Sequence, residues 1–383
     1  MRIGARPQNG RPLRILSVVG ARPNFMKIAP IARELARYPG AFSNTIVHTG
    51  QHYDAKLSAV FFDELEIPFA DINLNVGSGS HAQQTAAVMS AFEPLVVERR
   101  PDLVLVVGDV NSTLACSLVA AKCHVPVAHV EAGLRSRDRH MPEEINRVLT
   151  DQISSVLFTT ERTAADNLRA EGIPIERIHF VGNVMIDTLL RHRDRARSLQ
   201  SYRRYGVCAG EYALLTLHRP SNVDDPEVFG RLVRAISRIA SDRVVLFPVH
   251  PRTRPTVERS AGVAELVGSG RLRLLEPLGY LEFLGLMEAS RVVLTDSGGV
   301  QEETTILGVP CLTLRTTTER PVTVTHGTNQ VVGTDPIAIG EGYRRALEMR
   351  PGMVPELWDG DAAKRVVGVL RGMDIDSASA AGH

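Results

Sequence analysis

The sequence predicts an α/β fold of two doubly wound domains, and three observations carry that prediction. The chain has 383 residues, too many for one compact core and enough for two domains of roughly 170–190 residues each. Short apolar runs recur, each followed by a segment of helical periodicity, as right-handed βαβ units on a parallel sheet require when the strands are buried on both faces. Nearly every run closes on a polar group able to bind phosphate or move a proton, at the strand ends where open α/β sheets take ligands.

In chain order, "LRILSVVG" reads as a strand and "MKIAPIARELARY" as its helix; "DLVLVVGD" precedes the helical "STLACSLVAAK"; "SSVLFTT" precedes a helix over 161–171. The second half repeats the rhythm with "YALLTLH", "RVVLFPVH", "RLRLLEPL", "RVVLTDSGG" and "VPCLTLR". A charged, glycine-containing connection within 183–212 marks the junction. The expected domains are 1–185 and 186–359, with an amphipathic helix in 360–383 returning to the first. "GSGSHA" at 77–82 is a weak flexible-loop signal, and the first twelve residues and the terminal "DSASAAGH" read as frayed tails.

Charge is balanced, 44 Lys and Arg against 43 Asp and Glu, so there is no basic footprint for nucleic acid. Cys116, Cys123, Cys208 and Cys311 stand apart with no metal-site spacing and read as buried small hydrophobes in a reducing cytoplasm. No apolar run approaches the roughly 18–20 residues of a membrane span, and no signal peptide is evident.

"TDSGGVQEE", 295–303, places small residues where a strand yields to a helix, so the amides of Ser297, Gly298 and Gly299 can face an anion. Glu302 or Glu303, a turn later, can take a ribose diol; a plain capped turn is the alternative. "VGARPNFMK" supplies Arg22 and Lys27 for a diphosphate, with exposed basic side chains on a capped helix as the competing account. Nothing here follows the Walker pattern. His218 and His250 close two strands of the second half, placed to donate to a phosphate or assist its departure, against a purely structural role. Arg252 and Arg254 read as solvated or phosphate-steering, and Glu319 with Arg320 as a strand-loop pair that is either structural or ligand-facing.

The acid–base candidates belong to the first half. Asp109 and Glu131 close successive apolar strands, and "HVEAGLRSRDRHMPEEINR", 129–147, adds Glu143 or Glu144. Carboxylates brought together push their pKa values apart, so that one serves as base and another as acid. Arg135, Arg139 and Arg147 would hold that loop; capping and structural ion pairs remain the alternative for Asp138 and Glu144.

Together, "GARPNFMKIAP", "TGQHYD", "GDVNST", "HVEAGLRSRDRHMPEEINR", "FVGNVMID", "LTLHRPSN", "TDSGGVQEE" and "LRTTTERP" closely resemble the non-hydrolysing UDP-N-acetylglucosamine 2-epimerases, in order from about residue 13 to 370. The resemblance implies a GT-B-like architecture of two Rossmann-like domains with the active site in the cleft between them. It implies a cytoplasmic homodimer that interconverts UDP-GlcNAc and UDP-ManNAc with no cofactor, NAD or metal. UDP leaves by elimination to 2-acetamidoglucal and adds back with the proton on the opposite face of C2. By motif, Asp109, Glu131 and Glu143 correspond to the catalytic acids and His218 to the histidine at the diphosphate. Arg22, Ser297, Gly298 and Gly299 would hold phosphates and Glu303 the ribose; Lys27, Arg135, His250 and Arg320 complete the substrate-binding set. The chain departs from many bacterial members in the short loop before "PEE", and in the residues after Gln51 and His52 that would bind an activating second substrate. A modified UDP-hexosamine, of the 2,3-diacetamido-glucuronate type, and a GT-B glycosyltransferase are the alternatives.

Overall fold

The computed structural model describes residues 11–50, 65–66, 69–349 and 352–372. The first ten residues of the expected N-terminal tail, the C-terminal tail, Gln51 and His52 lie outside the described residues. The chain divides into two compact units, residues up to Thr188 together with those from Glu356 onward, and Leu189–Pro355, against the expected breaks after 185 and 359.

The first unit is a seven-stranded parallel sheet, formed by β1 (Leu13–Val19), β2 (Phe42–His48), β3 (Ile72–Asn73), β4 (Leu103–Val107), β5 (Val127–Ala132), β6 (Val156–Thr159) and β7 (Ile178–Phe180). Its order is β3-β2-β1-β4-β5-β6-β7. The β4 run Leu-Val-Leu-Val-Val has no polar face because helices cover both sides of the strand, and every residue in it is buried. Leu16, Val18, Val104 and Val106 pack with Val88, Phe92, Ala115 and Val119 of the covering helices.

Helix Arg22–Ala36 carries Pro23 in its first turn, where the missing N–H has no intrahelical partner to lose. Helix His81–Arg99 begins with a capping box: Ser80 Oγ accepts the Gln83 amide at 3.3 Å and Gln83 Oε1 accepts the Ser80 amide at 3.2 Å. The last three residues of "GSGSHA" thus form the cap and start of a helix, and Gly77, Ser78 and Gly79 are the loop before it.

Residues beyond Glu356 complete this unit. Buried Trp358 donates Nε1 to the Thr160 carbonyl at 2.9 Å. The final helix, Ala362–Gly372, packs on helix Arg22–Ala36. Asp187 caps it by accepting the amides of Ala362 and Ala363 at 3.1 and 2.7 Å.

The second unit has β8 (Tyr212–Thr216), β9 (Val244–Pro248), β10 (Leu272–Leu275), β11 (Val292–Thr295), β12 (Cys311–Thr313) and β13 (Asn329–Val331), all parallel, in the order β10-β9-β8-β11-β12-β13. Phe229, Leu232, Val233, Ile236 and Ile239 of helix Pro226–Ala240 recur at helical spacing and pack on Leu215, Val245 and Phe247. Asp225 caps that helix through the Glu227 and Val228 amides at 2.8 and 3.2 Å.

Both sheets reverse strand order once, at β1/β4 and at β8/β11, and such switch points open the crevices where doubly wound sheets bind ligands. Among the described residues no helix is long and apolar enough to cross a membrane. Cys116 and Cys311 are buried, Cys123 is half-buried, and Cys208 is exposed, contrary to expectation. Cys208 occupies the turn into β8, flanked by Gly206 and Gly210 at φ of 60° and 78°, where the chain has no sheet to bury it.

Candidate active site

The β1/β4 switch is tied together by Asn24. Its Oδ1 accepts the amides of Gly20 and Ala21 at 3.2 and 2.8 Å, and its Nδ2 donates to the Val107 carbonyl at 2.9 Å. One amide side chain thereby joins the loop after β1 to the end of β4. Lys27, a turn further along the helix, reaches Glu131 at the end of β5 in a buried ion pair. Gly108 lies beneath this pair at a φ of 68°; a Cβ there would sit 3.0 Å from Lys27 Nζ and 3.7 Å from Glu131 Oε2. Only glycine meets both demands.

Glu131 itself holds a left-handed backbone, φ 74°, and the β5/β6 register shifts between Val130 and Ala132 around it. A bulge of this kind re-aims a side chain, and a left-handed non-glycine residue costs about 1–2 kcal/mol. The strain sits where the sequence places a proton carrier.

Asp109 follows β4 on the neighbouring strand and keeps 27% of its side chain exposed. Arg147, almost fully buried, donates Nη1 to Asp109 Oδ2 at 2.6 Å and Nη2 to Glu144 Oε2 at 2.8 Å. Glu144 also accepts the amides of Ser136 and Arg137, both at 2.9 Å. Burial pushes the Glu144 carboxyl up, but those amides and Arg147 outweigh it and hold it below the ordinary range. Glu144 thus ties down the 134–141 loop, the structural alternative weighed for it. Asp138 likewise serves a turn, accepting the His140 amide at 2.9 Å. Glu143 is half-buried in the first turn of helix Pro142–Ile153. In the same helix Asn146 Nδ2 donates to the Asp109 carbonyl at 2.9 Å and to Asn111 Oδ1 at 3.2 Å. Asn111 in turn donates to Gln84 at 2.8 Å and contacts His81 at 3.1 Å.

Arg135 was expected at the substrate. Its guanidinium is instead buried, bonded to Glu171 at 2.6 and 2.8 Å and paired with Asp151 at 2.7 Å. The structure therefore gives it a framework position, because two carboxylates already take its donors. Arg22 lies at the start of helix Arg22–Ala36, and its side chain is outside the described residues.

The second unit presents the β8/β11 switch. His218 Nδ1 lies 2.8 Å from Oδ1 of Asp296, which is wholly buried. Asp296 also accepts the amides of His218 and Arg219 at 3.0 and 2.9 Å and Asn222 Nδ2 at 3.2 Å. Burial opposes its charge, but His218 and these amides hold its pKa below the ordinary carboxylate value. The His250 ring centroid is 5.9 Å from that of His218. Arg252 and Arg254 turn to Asp224 and Glu276 at 2.6 and 2.7 Å.

Helix Gly298–Leu307 starts at Ser297 with no side-chain cap and no acid in its first turn. Its first amides have no intrahelical acceptor and carry the positive end of the dipole, the condition for binding a phosphate. A Cβ on Gly298 would meet Glu319 Oε1 at 2.6 Å and Arg320 Nη1 at 2.9 Å, whereas one on Gly299 would meet nothing within 4 Å. Gly298 is thus set by packing and Gly299 by open space. Arg320 is buried between Glu302 at 2.7 Å and Glu319 at 2.8 Å, so it props the helix start from behind. Glu303 accepts the Tyr280 hydroxyl at 2.8 Å. Burial pushes its carboxyl up to about 7, with the Tyr280 bond opposing and the Glu302 charge adding to the rise.

Sequence reasoning overlooked Asn24, Asp151, Asn146 and Tyr280. Asp296 and His129 had a signal as strand-end polar groups, but nothing local to "TDSGG" or "HVEAG" points to His218 or to Asp151 as their partners.

Parallel sheets that each reverse order at a polar loop cluster place the protein in the GT-B-like class of α/β enzymes. The family profile described as UDP-N-acetylglucosamine 2-epimerase matches residues 33–371. A UDP-N-acetylglucosamine 2-epimerase of Methanocaldococcus jannaschii is 41% identical over 94% of this chain and 99% of its own. Its crystal structure in complex with UDP-GlcNAc and UDP superposes with a TM-score of 0.87, covering 94% of this chain and 99% of that one at 40% identity. The UDP-2,3-diacetamido-2,3-dideoxy-D-glucuronate 2-epimerase of Pseudomonas aeruginosa is 42% identical over 88% of this chain and 92% of its own. The chain belongs to the UDP-N-acetylglucosamine 2-epimerase family.

Proposed function

We propose that the chain interconverts UDP-GlcNAc and UDP-ManNAc by elimination and re-addition of UDP. The observation that carries this reading is the pair Asp109 and Glu131 on neighbouring strand ends, each held against its own buried cation, Arg147 and Lys27. A carboxylate takes the C2 proton while the C1–O bond breaks, its electron pair leaving with UDP and the C2–H pair forming the C1=C2 bond of 2-acetamidoglucal. In the return step a UDP oxygen attacks C1 and a proton is delivered to the opposite face of C2. Two faces need separate proton carriers, and Asp109, Glu131 and Glu143 supply them. The scheme balances without an oxidant or a metal.

The Gly298–Leu307 helix start suits the diphosphate, Glu303 the ribose, and His218 the departing phosphate oxygen, with His250 beside His218 as a further donor. Arg135 and Arg320 take positioning roles through their carboxylate partners. Free thiols suit a reducing cytoplasm. The exposed Ile145 and Leu149, one turn apart on helix Pro142–Ile153, support self-association as a homodimer.

Proton NMR in D2O with UDP-GlcNAc alone tests the reading: UDP-ManNAc labelled with deuterium at C2 is expected. Free ManNAc with UDP would mean hydrolysis, and an unchanged spectrum would sink the proposed substrate. The Pseudomonas aeruginosa relative favours one second reading, a UDP-sugar with a C6 carboxylate. Arg137 and the exposed Arg139 offer charge for it, and the same spectrum with that sugar decides between them.

A further inference from the structure

A single buried carboxylate links the backbones that carry the two proton carriers. Asp151, on helix Pro142–Ile153, has no solvent exposure. Its Oδ1 lies 2.7 Å from His129 Nδ1, and its Oδ2 accepts the Gly133 amide at 3.1 Å. His129 and Gly133 are the residues two before and two after Glu131, so Asp151 straps across the bulge that turns Glu131 left-handed. The other ring nitrogen, His129 Nε2, lies 2.8 Å from the Gly108 carbonyl, and Gly108 immediately precedes Asp109. A carbonyl oxygen has no proton to give, so Nε2 is the donor there, and Nδ1 faces the Asp151 carboxylate. The ring therefore bridges β5 to the end of β4, with Asp151 at one nitrogen and Arg135 on the far side of Asp151 at 2.7 Å.

We propose that Asp151 is a positioning residue that fixes Glu131 and, through His129, the Gly108–Asp109 segment in one mutual geometry. The proposal rests on the reading of Asp109 and Glu131 as proton carriers. Asp151 touches no reacting atom. It joins the ends of two neighbouring strands, β4 and β5, into one braced unit. Where two carboxylates must address opposite faces of one carbon, misplacement by about 1 Å costs on the order of 100-fold in rate. The role is independent of substrate binding, because none of these bonds involves the helix start or histidine of the second unit.

The test is steady-state kinetics of the full chain with UDP-GlcNAc for Asp151→Asn, beside Asp109→Asn and Glu131→Gln. Asp151→Asn preserves the shape and removes the charge. It should lower kcat on the order of 100-fold with KM nearly unchanged and a cooperative thermal transition retained. Wild-type kcat in a folded Asp151→Asn protein overturns the proposal, as does a rise in KM with kcat intact. If Asp109→Asn or Glu131→Gln retains turnover, the reading of the carriers fails, whatever Asp151→Asn does. Should Asp151→Asn not fold, ¹⁵N NMR of the histidine-labelled wild-type protein decides. A slowly exchanging Nε2–H proton on His129, absent in His129→Gln, is expected, and a rapidly exchanging one overturns the bridge.

Discussion

His218 Nδ1 and Asp296 Oδ1 stand 2.8 Å apart, the histidine partly exposed and the carboxylate wholly buried. A carboxylate held by two backbone amides and an asparagine fixes the ring in the tautomer with hydrogen on Nδ1 and sets its orientation. Asp296→Asn presents an amide that can offer a donor where an acceptor is required. It is expected to lower kcat by about 100-fold or more while leaving the UDP-sugar KM close to wild type; steady-state kinetics check this.

The two glycines that open helix Gly298–Leu307 should separate stability from binding. Gly298→Ala forces a methyl against Glu319 and Arg320 and is expected to cost about 1–3 kcal/mol, read as a lower denaturation midpoint. Gly299→Ala meets open space, so its midpoint should match wild type while the KM rises, because its methyl would crowd an anion at the helix start. Equal stability of both variants would contradict the packing assigned to Gly298.

The left-handed Glu131 predicts an inversion of the usual ranking. Glu131→Gly and Glu131→Ala both delete the carboxylate and leave Lys27 without it, so they differ only at the backbone. At a φ of 74° the glycine variant should be the more stable by about 1 kcal/mol, measured by chemical denaturation. An alanine variant of equal or greater stability would mean that the bulge relaxes when the carboxylate goes.

Two carboxyls are pushed upward in the folded chain, Asp187 to about 6 and Glu303 to about 7, burial being the main cause for both. A raised acid pKa means the folded state binds more protons than the unfolded one. Stability from these groups is therefore present below pH about 4 and lost as pH rises through 6 to 7. Each contributes up to about 3 kcal/mol across that interval. The depressed carboxyls, Asp151, Asp296 and Glu144, act in the opposite direction and only at lower pH, where they become protonated. Unfolding curves between pH 5 and 8 should show declining stability, and Glu303→Gln should flatten the upper part of the decline.

The legible parts of this protein are those where neighbouring residues decide the outcome. "LVLVV" is a buried parallel strand wherever it occurs in such an alternation, and Asp109, Glu131 and His218 follow from the rule that strand ends face ligands. The surroundings of Arg135 and Arg320 were not legible, because a guanidinium's role depends on which carboxylates reach it. The partners of Arg135, Asp151 and Glu171, come from two different helical segments that sequence adjacency does not reveal. The backbone of Glu131 carries no local signal at all, since glutamate has no preference for the left-handed region. On either side of it, His129 and Gly133 are bonded to Asp151, a partner remote in sequence.

The capping of helix Ala362–Gly372 by Asp187 bears on how the molecule is made. The unit Leu189–Pro355 is one contiguous segment of the chain, so it is complete soon after its last strand leaves the ribosome. The first unit must wait. Its helix Arg22–Ala36 stays without the covering helix through the synthesis of most of the chain, and Thr160 without Trp358 through roughly half of it. During translation the earliest residues to emerge are thus among the last to reach their final packing, and an interrupted synthesis leaves an apolar helix face for chaperones to hold.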